Sequence, residues 1–92
     1  MQSLSEKEVG RQEMNLAQYL KLKERVFNYV ERFFARQKNT TFPTVRQVAR
    51  AMGVRQSQVI EIVEDDNRLM LTYYNVDHHI ADGDRFVESL GV

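Results

Sequence analysis

Cysteine is absent from this 92-residue chain, which excludes a disulfide framework, a thiolate nucleophile and a zinc–thiolate site. Long apolar runs are missing too. No stretch approaches the roughly 18 apolar residues of a membrane span, and the opening MQSLSEKEVGRQE is polar where a secretory signal needs an apolar centre. The chain is therefore expected in the cytoplasm, with no membrane partner. With four glycines and one proline, there is no glycine-rich phosphate loop and no low-complexity linker. Serine, histidine and aspartate do not recur at any spacing that would join a nucleophile to its base. An enzyme is not expected, nor a cofactor. Net charge is zero, which taken alone argues against a phosphate-binding domain.

What is present is an ordinary globular composition, 42% hydrophobic and 28% charged, on a chain short enough for one domain. The neutral total conceals an asymmetry. Residues 1–60 hold eleven Lys and Arg against five Asp and Glu, whereas residues 61–92 hold two against eight. Six basic residues, Arg32, Arg36, Lys38, Arg46, Arg50 and Arg55, follow one another without an acidic one between them. Such a run is either a solvated surface or a face for phosphate.

Residues 1–15 are weakly patterned and interrupted by Gly10, so they are expected as a flexible N-terminal arm, although Ser5 and Glu8 have the spacing of a capping box. Residues 16–92 are expected as a single domain. Apolar residues Leu16, Leu20, Phe27, Val30 and Phe34 recur at helical spacing and predict a long helix through about Arg36. Leu22, Val26, Tyr29 and Phe33 form a second apolar lobe beside the first. An arc this wide exceeds the needs of one small core, so the second lobe is expected either to be covered by the arm or the C-terminal strands, or to form a homodimer face.

KNTTFPT reads as an extended connector, because Pro43 keeps Phe42 out of helical geometry. Thr44 with Gln47 forms a capping box opening a helix, VRQVARAM, that buries Val45, Val48, Ala49 and Met52 and stops at Gly53. A third helix, about Gln56 to Asp66, buries Val59, Ile62 and Val63. LMLTYYN and RFVES read as two strands, with the Asp-Gly pair of ADGD as a hairpin turn between them. The fold class expected is mainly α with a small β-hairpin.

Within TVRQVARAMGVRQSQVIEIV, six positions satisfy the needs of two helices joined by a tight turn. Ala49 lets the helices approach, Val48 precedes it, Gly53 makes the turn, Val54 plugs the corner, and Val59 and Ile62 seat the second helix on the core. With a long helix before and a hairpin after, the chain resembles a winged helix-turn-helix domain of the bacterial transcription-regulator type, three helices plus a wing. That resemblance implies a small sequence-specific double-stranded DNA-binding protein, with the second helix of the pair in the major groove.

On this reading Arg55, Gln56, Ser57 and Gln58 face base edges, with Ile60 and Glu61 one turn further on. Arginine can hold guanine O6 and N7, glutamine can hold adenine N6 and N7, and Glu61 can accept from cytosine N4. Ile60 either meets a thymine methyl or is a plain half-buried isoleucine. Thr44, Arg46 and Arg50 are expected at phosphates, where they position the protein.

The acid runs against this reading. Glu61, Glu64, Asp65 and Asp66 crowd the end of the reading helix, unfavourably for its dipole and for phosphates alike. The wing carries Asp77, Asp82 and Asp84 against Arg85. His78 and His79 beside these aspartates invite a metal, but adjacent strand residues point to opposite faces, so none is expected. Protonation of the two histidines near pH 6 would lessen the wing's negative charge. The alternative reading is a winged-helix protein–protein interaction module that uses the acidic C-terminal half or the apolar face of the first helix.

Overall fold

Asn15 accepts the Gln18 backbone N–H at 2.9 Å while the Gln18 side chain accepts the Asn15 N–H at 3.1 Å, a reciprocal cap that starts helix α1, Leu16–Arg36. The computed structural model describes residues 15–72 and 80–90; residues 1–14 of the arm with their Ser5–Glu8 pair, residues 73–75 of the expected strand LMLTYYN, Asp77 and the two histidines lie outside them. At its other end α1 turns out through Lys38 and Asn39, both with positive φ, 55° and 59°. Asn tolerates this conformation better than Lys does.

Thr44 caps helix α2, Val45–Met52. Its hydroxyl accepts the Gln47 N–H at 3.2 Å, and the Gln47 side chain accepts the Thr44 N–H at 2.9 Å. Gly53 follows at φ 71°, the left-handed position that glycine adopts without a Cβ penalty. The Val54 N–H returns to the Ala49 carbonyl at 3.0 Å. Helix α3, Gln56–Asp65, then begins. All three helices lie where apolar spacing and caps placed them.

Strands β1, Leu69–Leu71, and β2, Val87–Ser89, pair antiparallel with Leu69 opposite Ser89 and Leu71 opposite Val87. The connector before α2 adds a third line of backbone pairing. Val45 donates to the Arg85 carbonyl at 2.9 Å and Val87 to the Pro43 carbonyl at 2.8 Å, so Thr44 and Phe86 face each other across a single antiparallel bridge. The chain is mainly helical with a small antiparallel hairpin.

The expected hairpin turn is corrected. Asp82–Asp84 forms a short 3-10 turn leading into β2, and residues 73–85 separate Thr72 from its partner Phe86. A tight hairpin turn of the Asp-Gly type needs positive φ, and Gly83 does not have it.

Eleven residues make the core: Leu22, Val26, Val30, Val45, Val48, Ala49, Val59, Ile62, Val63, Leu69 and Val87. Seven of these are valines from all three helices and β2 that are buried to 2% exposure or less, each contributing roughly 1.5–3 kcal/mol of burial. Here each of the two lobes of α1 is divided, Val30 of the first joining Leu22 and Val26 of the second in the core. Leu22 and Val26, expected either under cover within the chain or on a dimer face, are in the core and so unavailable to a dimer, while Leu16 and Leu20 are 72% and 49% exposed. Tyr29 and Phe33 are half-buried, their rings tilted together at 6.0 Å. The rest of the domain packs under Leu22, Val26 and Val30, which lie about 40° apart in succession. Phe27 and Phe34 take flanking covers, the Arg68 guanidinium 4.0 Å over one ring and Phe42 stacked 4.0 Å from the other.

Candidate nucleic-acid interface

The groups expected at DNA bases occupy the first turn of α3, whose direction is set by the Gly53 turn and by Val59 and Ile62 in the core. Arg55, Gln56 and Ser57 are exposed. Gln58 is not free: its side chain accepts the Arg55 N–H at 3.3 Å, closing the start of the helix. Ile60 packs partly against the core, in keeping with the plain half-buried reading. Glu61 is half-buried as well.

Of the residues expected at phosphates, Thr44 is engaged by Gln47, while Arg50 is exposed with no ion-pair partner among the described residues. Arg46 is held by Asp84. The turn carrying Asp84 comes close because residue 83 is glycine. A Cβ there would fall 2.8 Å from Gln56 Oε1 and 2.9 Å from an Arg46 guanidinium nitrogen. An acidic turn thus sits where the first helix of the pair meets the start of the second, and one of the expected phosphate contacts already holds a carboxylate. Asp82 lies 3.5 Å from Arg85.

The acid at the end of α3 is accounted for by α1. Asp65 accepts the Tyr19 hydroxyl at 3.0 Å and lies 3.6 Å from Lys23. Asp66, only 5% exposed, accepts three bonds from Arg68: the backbone N–H and Nε, both at 3.0 Å, and Nη2 at 2.9 Å. The same guanidinium reaches Glu24 on α1. This network faces α1 and the turn into β1, so two of the four acids serve to dock helices. Hydrogen bonds from Arg68 hold the Asp66 and Glu24 carboxyls below their usual range, outweighing the opposing effect of burial. The two carboxylates raise Arg68 further above its already high value.

No family model, curated protein or solved structure matches the chain. The network of Glu24, Asp66 and Arg68 was missed in the sequence, although Asp66 and Arg68 stand two apart, the spacing of a side chain that bonds a nearby backbone N–H. The Arg46–Asp84 pair joins residues 38 apart and left no local signal. The network borders an open groove lined by Leu20, Lys23, Glu24, Asp65, Asp66, Asn67 and Arg68. Among the described residues no cluster of His, Asp and Glu is placed to hold a metal ion, and no helix is long and apolar enough to cross a membrane.

Proposed function

We propose that this chain is a small sequence-specific double-stranded DNA-binding protein, a winged helix-turn-helix regulator of transcription that reads the major groove with the first turn of α3. The observation that carries this reading is the exposed trio Arg55, Gln56 and Ser57, presented just past a left-handed glycine turn whose two helices share one core. The bridge between Thr44 and Phe86 supports the winged form, because it fastens the hairpin beside the helix pair. Base contact narrows to that trio. Arg50 serves phosphate at once, and Arg46 serves it only after leaving Asp84.

Selection from a random duplex library should enrich a defined site at low salt. Arg55→Ala should then relax preference at one position by about 1–3 kcal/mol. Enrichment of no sequence would refute the proposal.

The alternative, a protein-interaction module, is favoured by the exposure of Leu16 and Leu20 together with the acidic turn that occupies Arg46. Amide shifts separate the two readings, since duplex should move residues 44–58 only if the helix pair binds DNA. Light scattering at micromolar concentration tests the homodimer. Its face would be Leu16 and Leu20, because Leu22 and Val26 are buried within the chain.

A further inference from the structure

Helix α1 carries four cations along one edge. At 100° per residue, Lys21, Arg25, Arg32 and Arg36 fall within a sector about 60° wide, on a line about 22 Å long. All four are exposed. Among the described residues none of them has an ion-pair partner, whereas Lys23, Arg46, Arg68 and Arg85 are all paired. Arg36 Nε makes only a long bond, 3.4 Å, to the Arg32 carbonyl. Gln18 and Asn28, both exposed and uncharged, fill the rest of the edge.

The spacing works against the helix by itself. Lys21 with Arg25 and Arg32 with Arg36 are like charges four apart, an arrangement that destabilises a helix where an opposite charge would support it. The helix has two acids, Glu24 and Glu31, which project about 60° and 80° from Lys21 at the near side of the row and about 100° and 120° from Arg25. Glu24 is already bonded to Arg68. The edge is therefore kept free of acid at some cost, along about two-thirds of the length of α1.

We infer that Lys21, Arg25, Arg32 and Arg36 form a second phosphate-binding surface, one that tracks the backbone of duplex DNA without regard to sequence and does not depend on base reading by α3. A linear anion suits a linear row of cations. A membrane suits it less, because a helix lying on a bilayer needs apolar residues bordering its basic ones. The exposed Leu16 and Leu20 lie about 180° and 140° around α1 from Arg25, on the far side, while Tyr29 and Phe33, which border the row, are half-buried with their rings against each other.

The experiment compares the full chain with two variants, Arg55→Ala/Gln56→Ala and Lys21→Gln/Arg25→Gln/Arg32→Gln/Arg36→Gln. Each is titrated with a random-sequence duplex between 50 and 200 mM salt and with vesicles of anionic phospholipid. Thermal unfolding of both variants is followed alongside, and glutamine should leave the helix as stable or more so. Four lost phosphate contacts should make the salt slope shallower by about 3.6 and weaken binding to every sequence alike. The Arg55/Gln56 variant should keep the parent slope less at most one contact. A folded quadruple variant that keeps the parent slope overturns the inference, as does a parent chain that binds vesicles but not duplex. A parent that binds duplex through these four residues yet selects no sequence would leave this surface standing and remove the base-reading proposal.

Discussion

Removing the Arg68 side chain should be the most damaging single change outside the apolar core. Arg68→Ala takes two of the three donors from a carboxylate that is 4% exposed, frees Glu24 and uncovers the Phe27 ring. Orphaning a buried charge costs roughly 3–5 kcal/mol. The Arg68 side chain is itself 35% exposed, so water reaches Asp66 once the guanidinium has gone, and the backbone N–H of residue 68 remains. A value near 2 kcal/mol is therefore reasonable for Asp66, with about 0.5 kcal/mol more for the lost cation–π contact. In a domain this size that total should lower Tm by about 10–20 °C.

The loss should depend on pH. Because Asp66 has a lower pKa folded than unfolded, its pairing stabilises the fold in full above the ordinary aspartate range near pH 4 and is lost as pH falls through the depressed value. Parent and variant should thus differ most at pH 6–7 and converge in acid. Urea unfolding from pH 7 to pH 2.5 measures this directly. A difference below about 0.5 kcal/mol at neutral pH, or one that persists unchanged in acid, would refute the reasoning.

Gly53→Ala should cost about 1 kcal/mol from backbone strain alone, since a Cβ there meets nothing within 4 Å; Gly53→Asn should cost less, and denaturant midpoints will show the order. Lys38→Gly relieves a non-glycine residue at φ 55° and should raise stability by about 0.5–1 kcal/mol by the same measurement. Asp84→Asn releases Arg46. Exposed pairs are worth about 0.2–1 kcal/mol, so duplex affinity should rise by up to about fivefold in the parent background and by less in Arg46→Ala.

Features set by neighbouring residues were legible in the sequence. The Thr44 cap, the Gly53 turn and the buried faces of α2 and α3 follow from spacings of three and four, and the structure has them at those residues, with Met52 only partly buried. The facing of α1 was not legible. Apolar residues cover half its circumference, so periodicity offers two lobes but cannot say which one the rest of the chain will lie under. Leu22 and Val26 were covered and Leu16 and Leu20 were not. The role of the acid was hidden for a related reason. Asp65 and Asp66 look misplaced at the end of a helix expected to enter a groove until Tyr19, Lys23 and Glu24 are brought beside them from more than forty residues away. Of the expected contact residues, Gln58 is half-buried and bonded back to the Arg55 N–H, and Ile60 and Glu61 are half-buried one turn further on, whereas Arg55, Gln56 and Ser57 stay exposed.

The bridge between Thr44 and Phe86 has a kinetic meaning. Its bonds join residues 40 to 44 apart across α2, α3 and β1, so its loop should close after the more local contacts of the helix pair. The amides of Val45 and Val87, whose bonds it comprises, should then exchange with solvent only through global unfolding and be among the slowest in the chain. Folding of the helix pair would be rapid and local, and the return of the second strand to Pro43 would be the step that completes the native state.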